Sequence, residues 1–334
     1  MQFLLNTWYA VAWKEQLANR PLGRTVASQH LLLYRRKDGS PAALADTCPH
    51  RFAPLSAGRL ENDIIECPYH GLKFDSAGRC VFNPHGAITP RMAIRSYPVI
   101  ERHGIIWAWM GDTELADETC VPDLGFMDES STFKTVHNYF GVVSYRFDIL
   151  IDNLLDLSHE DFLHRGSFSG GVGEPAELRV REEGRMVVIE RLTRNMPKRP
   201  RYEYIGERVD VKYTIRWWPS QVVAFERIYS SSDDPNGPSF TARFCHLATP
   251  AALGATHYFH AVTRADNLAD TAVDARISEI AGSVILGEDG PMLEAIDSRM
   301  AGADLMKLRP VILPTDLGAM RVRKIMRRLL AREA

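Results

Sequence analysis

Two short segments of this sequence each place a cysteine close to a histidine, and this feature constrains the fold more than any other. The first segment is Cys48-Pro49-His50, and the second, after sixteen intervening residues, is Cys67-Pro68-Tyr69-His70. Thiolate and imidazole groups are strong ligands for transition metals. Four of them at this spacing predict a metal site held between two loops that face each other.

The kind of metal site depends on how the ligands pair. A Cys₂His₂ set can hold a tetrahedral zinc ion, but zinc modules usually pair like ligands, as in C-x₂-C with H-x₃-H. Here each loop carries one cysteine and one histidine. In a Rieske centre two thiolates hold one iron and two imidazoles hold the other, so each loop supplies one ligand to each iron. The spacing C-x-H-x₁₆-C-x₂-H therefore favours a two-iron cluster, with structural zinc as the alternative.

The length and composition indicate how many domains to expect and which classes of partner to exclude. A chain of 334 residues exceeds the usual size of one hydrophobic core, so two domains are expected. Forty basic and forty-two acidic residues leave a formal charge of -2, which argues against a nucleic-acid-binding surface. The N-terminus lacks a basic leader region, and no run approaches eighteen apolar residues, so we expect a cytoplasmic protein without a membrane segment.

The two halves of the chain differ in pattern. In residues 1–112, short apolar runs alternate with turn residues, which predicts a small all-β domain. Residues 113–334 combine a helical pattern near 147–164, alternating strands between about 176 and 264, and helices from about 268 onward. This mixture predicts an α+β chain, in which an antiparallel sheet and helices form the second, catalytic domain.

A second cluster of ionisable residues lies in the stretch from Asp152 to His164. His159 and His164 are five residues apart, which places them well off one face of a straight helix. Both imidazoles can reach one metal ion only where the helix loosens, through a π-type turn or a helix end. Two histidines and one carboxylate form the facial triad of non-haem iron oxygenases. The stretch is therefore either part of such a site or an amphipathic surface helix with two unrelated histidines.

The chain resembles Rieske oxygenases over nearly its whole length. Residues 48–80, CPHRFAPLSAGRLENDIIECPYHGLKFDSAGRC, are similar to the cluster-binding region of this family, and residues 83–86 resemble the third loop, which covers the cluster. The pattern D-x₃-D-x₂-H-x₄-H in 152–164 matches the mononuclear-iron motif of the family. The resemblance is strongest to the homotrimeric group that includes dicamba and vanillate demethylases.

The resemblance implies which residues hold the metals. The implied ligands of a [2Fe-2S] Rieske cluster are Cys48, His50, Cys67 and His70. The implied ligands of a mononuclear Fe(II) ion are His159, His164 and Asp289.

The carboxylate ligand is the least direct of these assignments. The stretch LGEDGPMLEAIDSRM offers Glu288, Asp289, Glu294 and Asp297. The family pattern points to Asp289, with Glu288 as the second choice. Pro291 departs from that pattern, and because proline favours the first turn of a helix, Asp289 could instead cap a new helix.

The resemblance also gives Asp156 a role that is not metal binding. It implies a bridge that is hydrogen-bonded to His159 and to the partner subunit's His70. A carboxylate that orients a metal-bound imidazole is physically reasonable. Such a head-to-tail contact must close on itself, which implies a ring-shaped homotrimer.

The implied activity is that of an oxygenase component in a multicomponent monooxygenase. It would O-demethylate or hydroxylate a small aromatic acid with O₂ and electrons from NADH, which a reductase delivers with or without a ferredoxin. His246 lies on the apolar face of the alternating segment that begins at Phe240. It resembles the histidine that holds the substrate carboxylate in this family. The alternative is a core histidine with a hydrogen-bond partner. A ring-hydroxylating dioxygenase and a Rieske electron-transfer protein are the alternative functions.

The C-terminal segment has apolar residues at helical spacing. Val322, Ile325 and Leu329 lie on one side, and a set of arginines and lysines occupies the other. This predicts a basic amphipathic helix, whose charged face is either simply solvated or docks an acidic reductase.

Overall fold

The computed structural model describes residues 3–18, 20–128, 130, 132–165, 176–197, 205–234, 236–265 and 267–333. An all-β N-terminal part is followed by a large antiparallel sheet with helices. The predicted α+β class and the order of its two parts are confirmed.

The N-terminal part consists of short antiparallel strands in three sheets, ordered β1-β11-β10, β2-β3-β4-β9 and β5-β6-β7-β8. Its strands are β1 (Trp8–Trp13), β2 (Leu22–Val26), β3 (Gln29–Arg35), β4 (Pro41–Ala45), β5 (Arg59–Glu61), β6 (Ile64–Glu66), β7 (Lys73–Phe74), β8 (Cys80–Phe82), β9 (Ser96–Tyr97), β10 (Val99–Arg102) and β11 (Ile105–Trp109). One segment with a cysteine and a histidine follows β4, and the other joins β6 to β7. Both therefore leave the same small core, which holds Leu55, Ile65 and Phe74.

The second part is built on a seven-stranded antiparallel sheet in the order β12-β18-β17-β16-β15-β14-β13. Its strands are β12 (Lys134–Val143), β13 (Ala176–Glu183), β14 (Met186–Pro197), β15 (Arg208–Trp218), β16 (Val222–Ser231), β17 (Ser239–Ala252) and β18 (Ala255–Arg264). In β15 the residues from Val209 to Trp217 at every second position are buried, as the period-two pattern predicts, whereas Lys212 is exposed.

Helices cover one face of this sheet. They are α1 (Phe147–Leu155), α2 (Glu160–Leu163), α3 (Thr271–Val284), α4 (Gly290–Met300) and α5 (Leu317–Glu333), with a π-helical segment (Ile285–Asp289) between α3 and α4. Apolar side chains of the sheet, such as Tyr213 and Ile215, share one core with Leu150 of α1, Leu293 of α4 and Val322 of α5. The sheet and the helices are therefore one packed unit.

The opposite face of the sheet packs on the N-terminal part. Trp8 and Trp107 share a core with Leu247 and Phe259. Hydrogen bonds also cross this interface, including one from the Thr249 hydroxyl to the Ala10 carbonyl at 2.7 Å. The two parts are thus joined by both apolar contacts and buried hydrogen bonds.

The basic face of α5 is not simply solvated. Arg323 is largely buried, and its guanidinium pairs with Asp152 and Asp148 of α1. Glu333, near the end of α5, accepts hydrogen bonds at 2.7 Å from the main-chain N–H groups of Leu5 and Asn6. The helix is therefore anchored to both parts of the chain. No helix in the described ranges has the length and apolarity needed to cross a membrane.

Candidate metal centres

The two loops with a cysteine and a histidine have matching backbones. In each, the cysteine N–H donates to the carbonyl five residues later, from Cys48 to Ala53 at 2.9 Å and from Cys67 to Leu72 at 2.8 Å. In each, the fourth residue after the cysteine donates back to its carbonyl. The loops therefore share one type of turn. The imidazole stands two residues after the cysteine in the first loop and three residues after it in the second.

The four predicted cluster ligands are arranged with the thiols inside and the imidazoles outside. Cys48 and Cys67 are both buried, whereas His50 is exposed and His70 is half-buried. The rings of His50 and His70 are 4.4 Å apart. Burial, and to a smaller extent the neighbouring Cys67, raises the pKa of the Cys48 thiol to about 11. Two inner thiols and two outer imidazoles fit a cluster in which one iron is buried and the other faces solvent.

A third loop closes over this pair. The Nε2 atom of His85 lies 3.1 Å from the carbonyl oxygen of His70, and the main-chain N–H of His85 donates to Asn83 Oδ1 at 3.0 Å. Gly71 has a φ of +72°, and a Cβ atom there would lie 3.5 Å from Cγ of Pro84. The loop predicted to cover the cluster therefore contacts the second of the two loops.

The helix with the two histidines is interrupted. The first helix, α1, ends at Leu155, and Asp156 is extended with φ −124° and ψ 97°. A 3₁₀ turn then carries His159, and His164 stands at the end of α2 with φ −102° and ψ 25°. The helix is therefore irregular in this stretch, as the five-residue spacing requires. Its main interruption lies at Asp156, before His159, and not between the two histidines.

Three of the predicted iron ligands converge. The Nε2 atoms of His159 and His164 lie 3.6 Å and 3.4 Å from Asp289 Oδ1. Among the described residues, these three form the only group of His, Cys, Asp or Glu side chains with three ligand atoms within 4.8 Å of one another. Two imidazoles and a carboxylate on one side of a common point fit a facial triad. Asn153, which we did not predict, lies 3.3 Å from both His159 Nε2 and Asp289 Oδ1.

The segment around Asp289 does not start a new helix. The π-helical turn continues from α3 into α4, and Asp289 makes no capping hydrogen bond with its side chain. A π turn accommodates Pro291. In this turn the Gly290 N–H donates to the carbonyl of Ile285, five residues earlier, so the regular α-helical hydrogen bonds are already interrupted just before the proline. The alternative of a helix cap at Asp289 is therefore wrong.

The second-choice ligand, Glu288, has a different contact. Its Oε2 atom lies 2.8 Å from Nδ1 of His164, so it holds the ring atom that faces away from Asp289. Burial opposes a charge on His164, but its hydrogen bonds with Asp289 and Glu288 outweigh this and raise the pKa of the imidazole to about 9. Of the other two candidates, Asp297 pairs with Arg146 at 3.0 Å and Glu294 is exposed.

Two family models match the chain. The Rieske [2Fe-2S] domain matches residues 7–98, and the vanillate O-demethylase oxygenase C-terminal domain matches residues 143–332. The chain belongs to the Rieske oxygenases. Residues 7–98 therefore form a Rieske [2Fe-2S] domain. A crystal structure of dicamba monooxygenase, which is 34% identical to this chain with a TM-score of 0.86, contains non-haem iron. Because the oxygenase domain is present, the alternatives of a structural zinc module and of an isolated electron-transfer protein are wrong.

Relatives match the oxygenase over its full length. The oxygenase component of dicamba O-demethylase from Stenotrophomonas maltophilia is 35% identical over 340 residues, covering 100% of both chains. The oxygenase component of chloroacetanilide N-alkylformylase from Rhizorhabdus wittichii is 35% identical, covering 96% of this chain and 94% of the relative. The crystal structure of dicamba monooxygenase bound to dicamba has a TM-score of 0.90 at 35% identity, covering 100% and 99% of the two chains. Both of these relatives are named as oxygenase components, and this chain matches them over nearly their whole length.

Asp156 contacts His159 in an unexpected way. The Nδ1 atom of His159 donates to the main-chain carbonyl of Asp156 at 2.7 Å. The Asp156 carboxylate instead accepts the Ser158 N–H at 2.9 Å and caps the 3₁₀ turn. Within one chain, the predicted contact between Asp156 and this imidazole therefore runs through the backbone and not through the side chain.

A buried ion pair, which the sequence did not reveal, anchors the short helix between the two histidines. Glu160 of α2 accepts a hydrogen bond from Arg227 of β16 at 2.6 Å, and the two side chains are 5% and 12% exposed. The Tyr213 hydroxyl donates to the other Glu160 oxygen at 3.3 Å. The segment that carries His159 and His164 is thereby fixed to the middle of the sheet.

The predicted substrate histidine, His246, is buried on the helix-covered face of the sheet. Its Nδ1 atom lies 2.7 Å from the Tyr258 hydroxyl, and its ring stacks on Phe225 at 5.0 Å. Its Nε2 atom is buried and has no hydrogen-bond partner among the described residues. His246 is therefore a core residue with one polar atom still available, which fits both of the interpretations given above.

Proposed function

We propose that this oxygenase removes a methyl group from a methoxylated aromatic acid and releases formaldehyde, using O₂ and electrons derived from NADH. The support is the convergence of His159, His164 and Asp289. A second observation is the buried His246, whose ring stacks on Phe225 of the core under the helices and whose Nε2 atom has no partner among the described residues. The relative named for dicamba and the family model named for vanillate O-demethylase agree with this proposal. Hydroxylation of a methyl or ring carbon at the same metal site is the alternative.

We propose that Cys48, His50, Cys67 and His70 hold the cluster and that the converging triad holds the mononuclear iron. When bound, the cluster supplies electrons and the mononuclear iron supplies the oxygen chemistry. The chain itself orients the imidazoles. The Asp156 carbonyl and the Glu288 carboxylate each engage an Nδ1 atom, which leaves both Nε2 atoms facing Asp289. Such contacts fix the tautomer and the ring direction of a metal-bound histidine.

We also propose that the oxygenase is a homotrimer in which the cluster of one subunit faces the iron of the next. Large apolar side chains are exposed at both ends of this contact. Phe52 and Tyr69 beside the cluster ligands are 77% and 65% exposed, and Phe162 between the iron histidines is 64% exposed. Head-to-tail packing would bury them and would place Asp156 near the partner subunit's His70.

The electron donor is proposed to be an NADH-dependent reductase, with or without an intermediate ferredoxin. The exposed basic residues of α5, which include Lys324 and Arg327, are a candidate docking surface for an acidic partner. We further propose that the domain boundary lies at residues 112 and 113, which makes residues 1–112 the cluster domain and residues 113–334 the catalytic domain.

Turnover with a surrogate reductase over a panel of methoxylated and hydroxylated aromatic acids tests the proposed function. Formaldehyde should appear with at least one methoxylated acid and match the phenol formed. An N-alkylated anilide belongs in the panel, because one relative is named as an N-alkylformylase. Formaldehyde from the anilide alone, or hydroxylated rings without formaldehyde, would contradict O-demethylation of an acid.

A further inference from the structure

A cavity opens beside the π-helical turn that carries Asp289. It has a volume of about 220 Å³ and lies between the end of β12 and the start of α4, with Tyr145, Gly290 and Glu294 among its lining residues. Gly290 directly follows Asp289 in the chain and is buried, whereas Glu294 is exposed. The cavity therefore reaches from the surface to the residue next to the predicted carboxylate ligand.

A second, larger cavity adjoins the first. Its volume is about 440 Å³, and it shares Ser144 and Glu294 with the smaller one. Leu253 and Ser298, which also line it, are both exposed. The two cavities together form one cleft that is open to bulk water.

The side chain of Tyr145 stands where this cleft meets the core under the helices. It is only 1% exposed and packs within that core. Its hydroxyl has no hydrogen-bond partner in the part of the chain that the structure describes, whereas the hydroxyl of Tyr258 in the same core lies 2.7 Å from Nδ1 of His246. A buried hydroxyl without a partner is costly, and the smaller cavity has room for several water molecules. Cavity water is therefore the expected partner of the Tyr145 hydroxyl.

The same hydroxyl lies near the proposed iron carboxylate. Burial raises the pKa of Tyr145, and the neighbouring carboxylates of Asp289 and Glu294 raise it further. Burial also raises the pKa of Tyr258, with smaller contributions from Tyr145 and Asp289. Tyr145 is therefore within electrostatic reach of a carboxylate in the cleft and of a carboxylate in the iron triad, and it stays protonated at neutral pH.

Demethylation requires protons as well as electrons. Conversion of one methoxy group into a phenol and formaldehyde consumes one O₂, two electrons and two protons, and it releases one water. The buried histidines of this interior are poor proton sources at neutral pH. Burial and the neighbouring His260 lower the pKa of His246 well below its usual value, and burial lowers the pKa of His260 to about 4. The protons must therefore enter from solvent.

We propose that the cleft holds a chain of water molecules and that the Tyr145 hydroxyl relays protons from this water to the interior beside Asp289. In each step the hydroxyl passes its proton inward while its oxygen accepts a proton from cavity water, so Tyr145 keeps its charge and nothing is oxidised or reduced. The inference rests on the proposed function, because it concerns the proton supply of that reaction. Tyr145 acts through water and is a positioning residue.

The first test is a crystal structure of the holoenzyme at a resolution that shows ordered water. A water molecule should lie within hydrogen-bonding distance of the Tyr145 hydroxyl, and further waters should continue along the cleft to Glu294. The Tyr145→Phe variant should lack the first of these waters. A cavity without ordered water at the wild-type hydroxyl would overturn the proposal.

The second test is a single turnover of the chemically reduced holoenzyme with substrate and dioxygen, in H₂O and in D₂O. Tyr145→Phe should slow reoxidation of the cluster at least about tenfold and enlarge the solvent isotope effect, because protons must then arrive by another route. Iron content and anaerobic substrate binding should stay at the wild-type level. Ser144→Phe, which places a bulky ring where the two cavities meet, should also slow reoxidation with the Tyr145 hydroxyl intact.

The sheet offers a matched control. Tyr139 packs on the opposite face, where its hydroxyl lies 2.7 Å from Nδ1 of His257. Tyr139→Phe therefore removes a tyrosine hydroxyl from the same sheet without changing the cleft. Its cluster should reoxidise at the wild-type rate with the wild-type isotope effect.

A wild-type rate and isotope effect in Tyr145→Phe would overturn the relay, and so would an equal slowing in Tyr139→Phe. Loss of iron from Tyr145→Phe would show a purely structural role and would overturn it as well. Normal reoxidation in Ser144→Phe would overturn the cleft as the route. Failure of the proposed function is distinguishable. In that case Tyr145→Phe still slows reoxidation, but the wild type yields a hydroxylated product without formaldehyde.

Discussion

The Nε2 atom of His164 lies 3.4 Å from Oδ1 of Asp289, although the first residue ends α2 and the second ends a π-helical turn. This contact joins the two segments that the iron site requires. Replacing His164 or Asp289 by alanine should remove the mononuclear iron and all oxygenation while leaving the visible spectrum of the cluster intact, because the proposed cluster ligands lie in the N-terminal part of the chain. Iron per chain and the visible spectrum measure the two outcomes separately.

Glu294→Ala is the control for this prediction, since Glu294 is exposed in the same helical stretch. It should retain about three irons per chain, two in the cluster and one mononuclear. If Asp289→Ala kept its iron and its activity, the carboxylate ligand would be another residue.

The ion pair between Glu160 and Arg227 should matter for stability far more than an exposed pair on the same sheet. Arg227→Met leaves a buried carboxylate without its charge partner, which should lower the free energy of unfolding by about 3–5 kcal/mol. Arg243→Met breaks the more exposed pair with Glu226 and should cost no more than about 1 kcal/mol. Urea denaturation of both variants measures the difference. Similar losses of unfolding free energy in the two variants would show that the buried ion pair stabilises the fold no more than the exposed one.

Stability should fall as the pH decreases from about 6.5 to about 4. Burial lowers the pKa of His257 and of His260 to about 4, whereas an unfolded histidine titrates near 6.5. Across this window the unfolded chain gains protons that the folded chain does not, so each histidine removes up to about 3 kcal/mol of stability. Denaturation curves at several pH values, with cluster absorbance followed in the same samples, measure this slope. His257→Gln should flatten it, and the exposed His30→Gln should not.

The two facing loops could be predicted because each places one cysteine and one histidine close together in sequence. That these four side chains hold the cluster stays a prediction. The iron histidines required the family motif as well, since their spacing only excluded a straight helix. The role of Asp289 was harder to predict from the sequence, because Pro291 suggested a new helix. A π-helical turn depends on packing around it and leaves no clear sequence signal, which is why the continuous helix was not predicted.

Contacts to the ligands were harder to predict than the ligands themselves. Alternation in β17 placed His246 on an apolar face, but it could not show that His260 lies opposite, because strand register is not encoded by period two alone. Glu288 and Asn153 meet the iron histidines only after the helices pack. The same holds for Arg227, whose partner is on a different element.

Asp156→Asn should separate metal binding from electron transfer. Asparagine can still accept the Ser158 N–H, so the 3₁₀ turn and both metals should remain. The substitution removes the charge proposed to hold the partner subunit's His70, and a charge-assisted hydrogen bond is worth roughly 1.5–3 kcal/mol. Rapid mixing should therefore show a reduced cluster that fails to reoxidise with substrate and dioxygen. Asp161→Asn, which changes a neighbouring carboxylate of α2, is the control, and its cluster should reoxidise at the wild-type rate. Reoxidation at the wild-type rate in Asp156→Asn would rule out the bridge.

The most direct measurement is formaldehyde formed in a single turnover of the chemically reduced oxygenase with methoxylated aromatic acids, without any reductase. If the cluster and the triad of His159, His164 and Asp289 form one demethylating unit, the wild type should release formaldehyde together with the matching phenol, up to one per chain. Asp289→Ala, with its cluster equally reduced, should release none. Formaldehyde from the Asp289→Ala variant, or reoxidation of the wild type without formaldehyde from any methoxylated acid, would contradict this account.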